Sequence, residues 1–90
     1  MEKVRIEKLI KWKQSVGIYL LDIMTDFVNP LMEAFGNDVN EIIAYLNMMD
    51  DKDLLTASSA FEDIYKKFMT DDVWNALGAL EQRLKESNQI

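Results

Sequence analysis

Asp50, Asp51 and Asp53, with Glu62 further along, set carboxylates at spacings that invite calcium binding. Counted from Asp51, Asp53 and Glu62 fall at the third and twelfth positions of a loop. Leu55 then stands at the fifth position, and Thr56 takes the sixth, where the sharp turn of such a loop needs glycine. The segment therefore reads as a helix start capped by Asp50 or Asp51, followed by an amphipathic helix. Asp22 and Asp26 lie one helical turn apart. Paired carboxylates can hold two metals or exchange protons, but helical di-metal sites add Glu-x-x-His pairs, and the chain has no histidine. The pair reads as a polar stripe on an otherwise buried helix, or as an acidic contact for a basic partner.

With neither histidine nor cysteine, the nucleophiles are serines, threonines, lysines and tyrosines. None has an imidazole base, and no Gly-x-Ser-x-Gly elbow or phosphate-cradling glycine loop is present. A Ser–Lys or Tyr–Lys arrangement is the one catalytic form left formally open. The expectation is a non-enzymatic protein with no catalytic residue, metal or cofactor. Contact chemistry is better represented. Trp12 lies off the apolar stripe of its segment and Trp74 beside its own, so each either covers a core edge or anchors an interface. Met24, Met32, Met48, Met49 and Met69 read as core fillers, with an adaptable contact surface as the alternative.

The charge of −6 is unevenly spread: residues 1–13 carry +3, residues 14–65 carry −9, and residues 66–90 balance. Such acidity opposes general nucleic-acid binding and anionic membrane surfaces. The basic and aromatic interleaving of Lys8, Lys11, Trp12 and Lys13 keeps a nucleic-acid regulator as a minor reading. The charged N-terminal stretch lacks a signal-like apolar core, and Asp22, Asp26, Asn29 and Pro30 interrupt the most apolar segment, Val16 to Met32. No membrane span is expected, and the absence of cysteine fits a cytoplasmic protein. Ninety residues are expected to form a single domain over 1–90, stabilised by packing alone.

The elements that must position these groups read as helices. The first is predicted from Glu2 or Lys3 to about Val28, with Ile6, Leu9, Ile10, Lys13, Val16, Gly17, Leu20, Met24 and Phe27 or Val28 on its stripe. Gly17 marks a close crossing or a break, and the strand alternative for Val16 to Leu21 has no second strand to pair with. Asn29-Pro30 reads as cap and first helical residue of a short turn ending at Gly36. Asp38 and Glu41 resemble a capping box before a helix from Val39 to about Met49. A third helix runs from Asp50 or Asp51 to about Met69, facing Leu54, Ala57, Phe61, Ile64, Tyr65 and Phe68 inward. Thr70 caps the fourth, whose stripe is Val73, Leu77, Leu80 and Leu84 and whose Ala76, Gly78 and Ala79 would admit a close neighbour. Ser87 to Ile90 is expected to fray. The fold class is all-α: a compact antiparallel bundle of four helices, or five if Pro30 splits the first region.

Leu46 to Leu54, Phe61 to Phe68 and Asp72 to Glu81 together resemble the C-terminal helices of small bacterial toxin-immunity proteins, in helix rhythm and acidic turns over residues 46–84. The resemblance implies an acidic helical protein that neutralises a basic toxin or enzyme by covering its cleft, and it assigns no residue. The function expected from the sequence is a protein-binding module, with an inhibitor or immunity protein as its sharper form. Asp22, Asp26, Asp50, Asp51 and Asp53 would steer a basic partner and Trp12 or Trp74 would anchor it. The alternative is a self-associating subunit that buries the apolar excess of the first helix in a homodimer.

Overall fold

A computed structural model describes residues 1–16 and 22–87. Among these, every regular element is helical. Helix α1 spans Lys3–Ser15, a π-helical segment Ile23–Val28 leads directly into α2 at Asn29–Phe35, and α3 spans Val39–Met48. Helix α4, Asp51–Ala57, continues through a 3₁₀ turn at Ser58–Ala60 into α5, Phe61–Phe68, and α6 covers Asp71–Glu86. The result is an all-helical bundle of five continuous helical segments. The radius of gyration, 12.4 Å, matches the ~12 Å expected of a folded chain of this length.

Local chemistry accounts for most helix starts. The side chains of Asp38, Asp50 and Thr70 accept from the backbone N–H groups of Glu41, Asp53 and Val73, at 3.2, 2.9 and 3.2 Å. Each satisfies a donor that the first helical turn leaves without a partner. The Asp38 box is half made, because the Glu41 carboxylate instead lies 3.5 Å from the Met1 amine. Gly36 ends α2 with φ of +78°, a conformation that glycine adopts without strain.

The first region departs from the expected single helix. Helix α1 stops at Ser15, and the chain re-enters helix at Ile23, so Pro30 is not the point of division. Asn29 has helical dihedrals, φ −63° and ψ −47°, and is no cap. Instead Asp22 caps the second segment, accepting from Thr25 N–H at 3.2 Å, while Asp26 accepts from Asp22 N–H at 3.1 Å. The physical reason for the π turn lies at Pro30. Its ring would crowd the carbonyl four residues back, and a π-helical widening just before it relieves that clash. Accordingly the Asn29 N–H reaches Met24, five residues back. Gly17, Tyr19, Leu20 and most of the Val16 to Leu21 stretch lie outside the described residues, as do residues 88–90. Ser87 is described, and its hydroxyl donates to the Leu84 carbonyl at 3.1 Å.

The buried side chains form one cluster. Ile6 and Ile10 of α1 meet Leu31, Ala34 and Phe35 of α2, with Phe27 and Val28 from the π segment. Helix α3 contributes Ile42 and Leu46 and packs against α6, whose Val73, Leu77, Leu80 and Leu84 are all buried as the period predicts. In the 3₁₀ turn, three residues per turn set Ala57 and Ala60 on one side and bring Phe61 and Ile64 onto the core. Tyr65 and Phe68 are half-buried at its edge. The methionines divide: Met32 and Met49 pack against the core as expected, but Met24, Met48 and Met69 are exposed. Among the described residues between Val16 and Met32, Phe27, Val28 and Leu31 are core, while Ile23 and Met24 are exposed. No helix among the described residues is long and apolar enough to cross a membrane.

Candidate protein interface

The five aspartates expected to steer a partner turn out to have local duties. Asp22 and Asp26 brace the start of the π segment. Asp50 caps α4, and Asp53 accepts from the Gln14 amide at 2.9 Å, joining α4 to α1. Asp51 receives the Arg83 Nε at 2.9 Å. The acidic triplet is therefore no free patch: Asp50 and Asp53 border a hollow that also holds Glu7, Lys3 and Lys11, so opposite charges face each other there. On the far side of that hollow, burial and then the charges of Glu7 and Asp53 push the Tyr45 hydroxyl pKa upward.

Arg83 was not singled out by sequence reasoning, and its guanidinium makes three hydrogen bonds to the α3–α4 corner. Beyond Asp51, its guanidinium donates to the carbonyls of Asn47, at 3.3 Å, and Met49. These carbonyls sit where α3 ends and lack helical donors, so one planar fork ties α6 to the α3–α4 corner. The basic N-terminal segment is likewise partly spent internally. Arg5 bridges Glu33 and Glu2, each at 3.1 Å, and those hydrogen bonds raise its pKa further. This leaves less positive surface for a nucleic acid than the sequence count suggests.

The two tryptophans part company. Trp12, near the end of α1, is at the margin of exposure at 37%, whereas Trp74 is 62% exposed near the start of α6. Trp74 is largely exposed and meets the edge of the core through half-buried Tyr65. It stands edge-on to Tyr65 of α5, with ring centroids 5.0 Å apart and planes at 62°, the geometry aromatic quadrupoles favour. Between them opens a groove lined by Phe61, Tyr65, Trp74, Leu77 and Gly78, with Glu62 and Glu81 as its only charged lining residues. The Glu62 carboxylate holds Lys66 at 3.0 Å, an attraction that raises the lysine pKa. Glu81 has no ion pair or hydrogen bond among the described residues.

Of the small residues of α6, Ala76 is part-buried, while Gly78 and Ala79 are exposed. A Cβ built on Gly78 would meet no atom within 4 Å. The structure thus brings Trp74 together with Tyr65, Gly78 and Glu81, and leaves Trp12 and the five aspartates elsewhere. Of this site, Trp74 as an anchor and Gly78 as a place for a close neighbour are legible in the sequence. Tyr65 had been assigned inward with its stripe, and Glu81 gave no signal until α5 was set beside α6. No protein-family model, curated protein or solved structure matches the chain.

Proposed function

We propose that this chain is a non-enzymatic protein-binding module whose contact surface is the α5–α6 groove around Trp74. The observation that carries this reading is a largely exposed tryptophan held edge-on against Tyr65, beside an open apolar groove. Solvent-exposed aromatic anchors of this kind dominate the binding energy of many interfaces. The overall charge of −6 and the acidic rim favour a partner with a basic surface. An inhibitor or immunity-type protein that covers a basic cleft is the narrower form of the same role, and a cytoplasmic setting suits it. Relative to the sequence expectation, the anchor is Trp74 rather than Trp12. Steering falls to Glu62 and Glu81 more than to Asp22, Asp26, Asp50, Asp51 and Asp53.

The absence of cysteine allows a direct test, since any introduced thiol is unique. Asn75→Cys, exposed beside Trp74, would carry a benzophenone cross-linker, with Asn40→Cys on α3 as the control. Irradiation in extracts of the native host should give one covalent protein adduct from position 75, absent from position 40 and lost on adding Trp74→Ala. Equal adducts from both positions, or none from either, would overturn the assignment.

A further inference from the structure

We infer that the element occupying the α5–α6 groove is an amphipathic helix of the partner protein, crossing α6 at Gly78 with basic residues facing Glu81. This rests on the contact-surface reading above and adds the form and charge of what docks. Gly78 lies inside α6, and its backbone does not need the positive φ that would call for glycine. Nor does packing within the chain require it, because a Cβ there would meet nothing. Glycine in a helix interior is unfavourable, and no contact among the described residues compensates. A helix approaching from outside does, since small side chains at the contact set how closely two helix axes can come.

The surroundings fit such an occupant. Trp74 stands one turn before Gly78 and Glu81 about one turn after it. Their separation along α6 is about 10 Å, close to two turns of an incoming helix. An extended peptide would bury backbone N–H and C=O groups against two helices that offer no free backbone partners, whereas a helix satisfies its own. Charge completes the match. Both lining charges are acidic, Glu62 already holds Lys66, and Glu81 has no ion pair or hydrogen bond among the described residues. Covering Glu81 without a cation would strand a desolvated carboxylate, so the occupant must supply lysine or arginine there.

A displayed library of 18-residue random peptides, panned on the full chain with excess Gly78→Leu protein as competitor, tests this. Expected binders place an apolar residue three, four or seven positions from lysine or arginine, and gain helical circular dichroism on binding. Their affinity should fall about tenfold or more on Gly78→Leu, the loss expected when a hot spot is blocked. Glu81→Gln, which leaves the groove shape intact, should weaken the same peptides and flatten their salt dependence. Acidic or uncharged binders, binders that stay extended, or affinities untouched by Gly78→Leu would overturn the inference. So would a concentration-dependent dimer of the chain alone that Gly78→Leu dissolves, because the groove would then belong to a second copy. A cross-linked partner at position 75 alongside acidic or extended binders defeats the helix alone. No cross-link and no enrichment defeat the contact surface as well.

Discussion

Arg83 shows how much one side chain contributes when its donors have several fixed acceptors. It joins Asp51 with the carbonyls of Asn47 and Met49, so α6 and the α3–α4 corner share one cation. Hydrogen bonds to charged groups are worth about 1.5–3 kcal/mol each in favourable settings, but this site is about one-third exposed and screened. Arg83→Met is expected to lower stability by about 2 kcal/mol in urea unfolding, and Arg83→Lys to recover only part of it, because ammonium lacks the planar fork. Tyr45 supplies a pH signature. Its pKa is raised, chiefly by burial and then by Glu7 and Asp53, so the folded state holds the phenolic proton more tightly than the unfolded chain. Its contribution is full below the unfolded value of about 10 and is lost as pH rises through the higher folded value. Urea midpoints measured from about pH 8 to 11 should fall more steeply for the native chain than for Tyr45→Phe. Parallel curves would show that Tyr45 is not responsible.

At the scale of elements, two positions on the surface carry backbone costs of opposite kind. Met69, which ends α5, sits in the left-handed region at φ 39°, where a side chain is strained. Gly78 has the reverse problem, flexibility inside a helix without a packing need. Met69→Gly and Gly78→Ala should each stabilise the protein by about 1 kcal/mol, visible as an upward shift in Tm of several degrees. A neutral or destabilising Gly78→Ala would mean that the backbone there is not freely helical. Elements also reveal which signals are local. The Asp38, Asp50 and Thr70 caps and the Gly36 stop were all legible, because each rests on contacts within four residues. A break near the end of α1 at Ser15 was offered by Gly17, but the π turn before Pro30 was not legible, because Asn-Pro is compatible with both a new helix and a widened continuing one.

For the whole molecule, the margin of stability is what limits substitution. A chain of 90 residues is expected to be stable by about 5–13 kcal/mol. Phe27 is fully buried, and its truncation to alanine typically removes about 3–5 kcal/mol. Phe27→Ala should therefore remain folded only marginally, with fluorescence and circular dichroism reporting a single urea transition at a much lower midpoint. Two separated transitions would show instead that the buried cluster is not one cooperative unit. The sequence by itself determined the all-helical class, the caps, and the α6 stripe of Val73, Leu77, Leu80 and Leu84. These follow from helical periodicity and from capping, which act between residues at most a few positions apart. Tertiary structure alone decided that Asp53 is tied to Gln14 and Asp51 to Arg83, while Glu81 is left without an ion pair or hydrogen bond among the described residues. It also decided that Trp74 faces outward against Tyr65, and that Gly78 opens onto a groove instead of a neighbouring helix. Such outcomes depend on how distant segments are brought side by side, and no spacing along the chain encodes that.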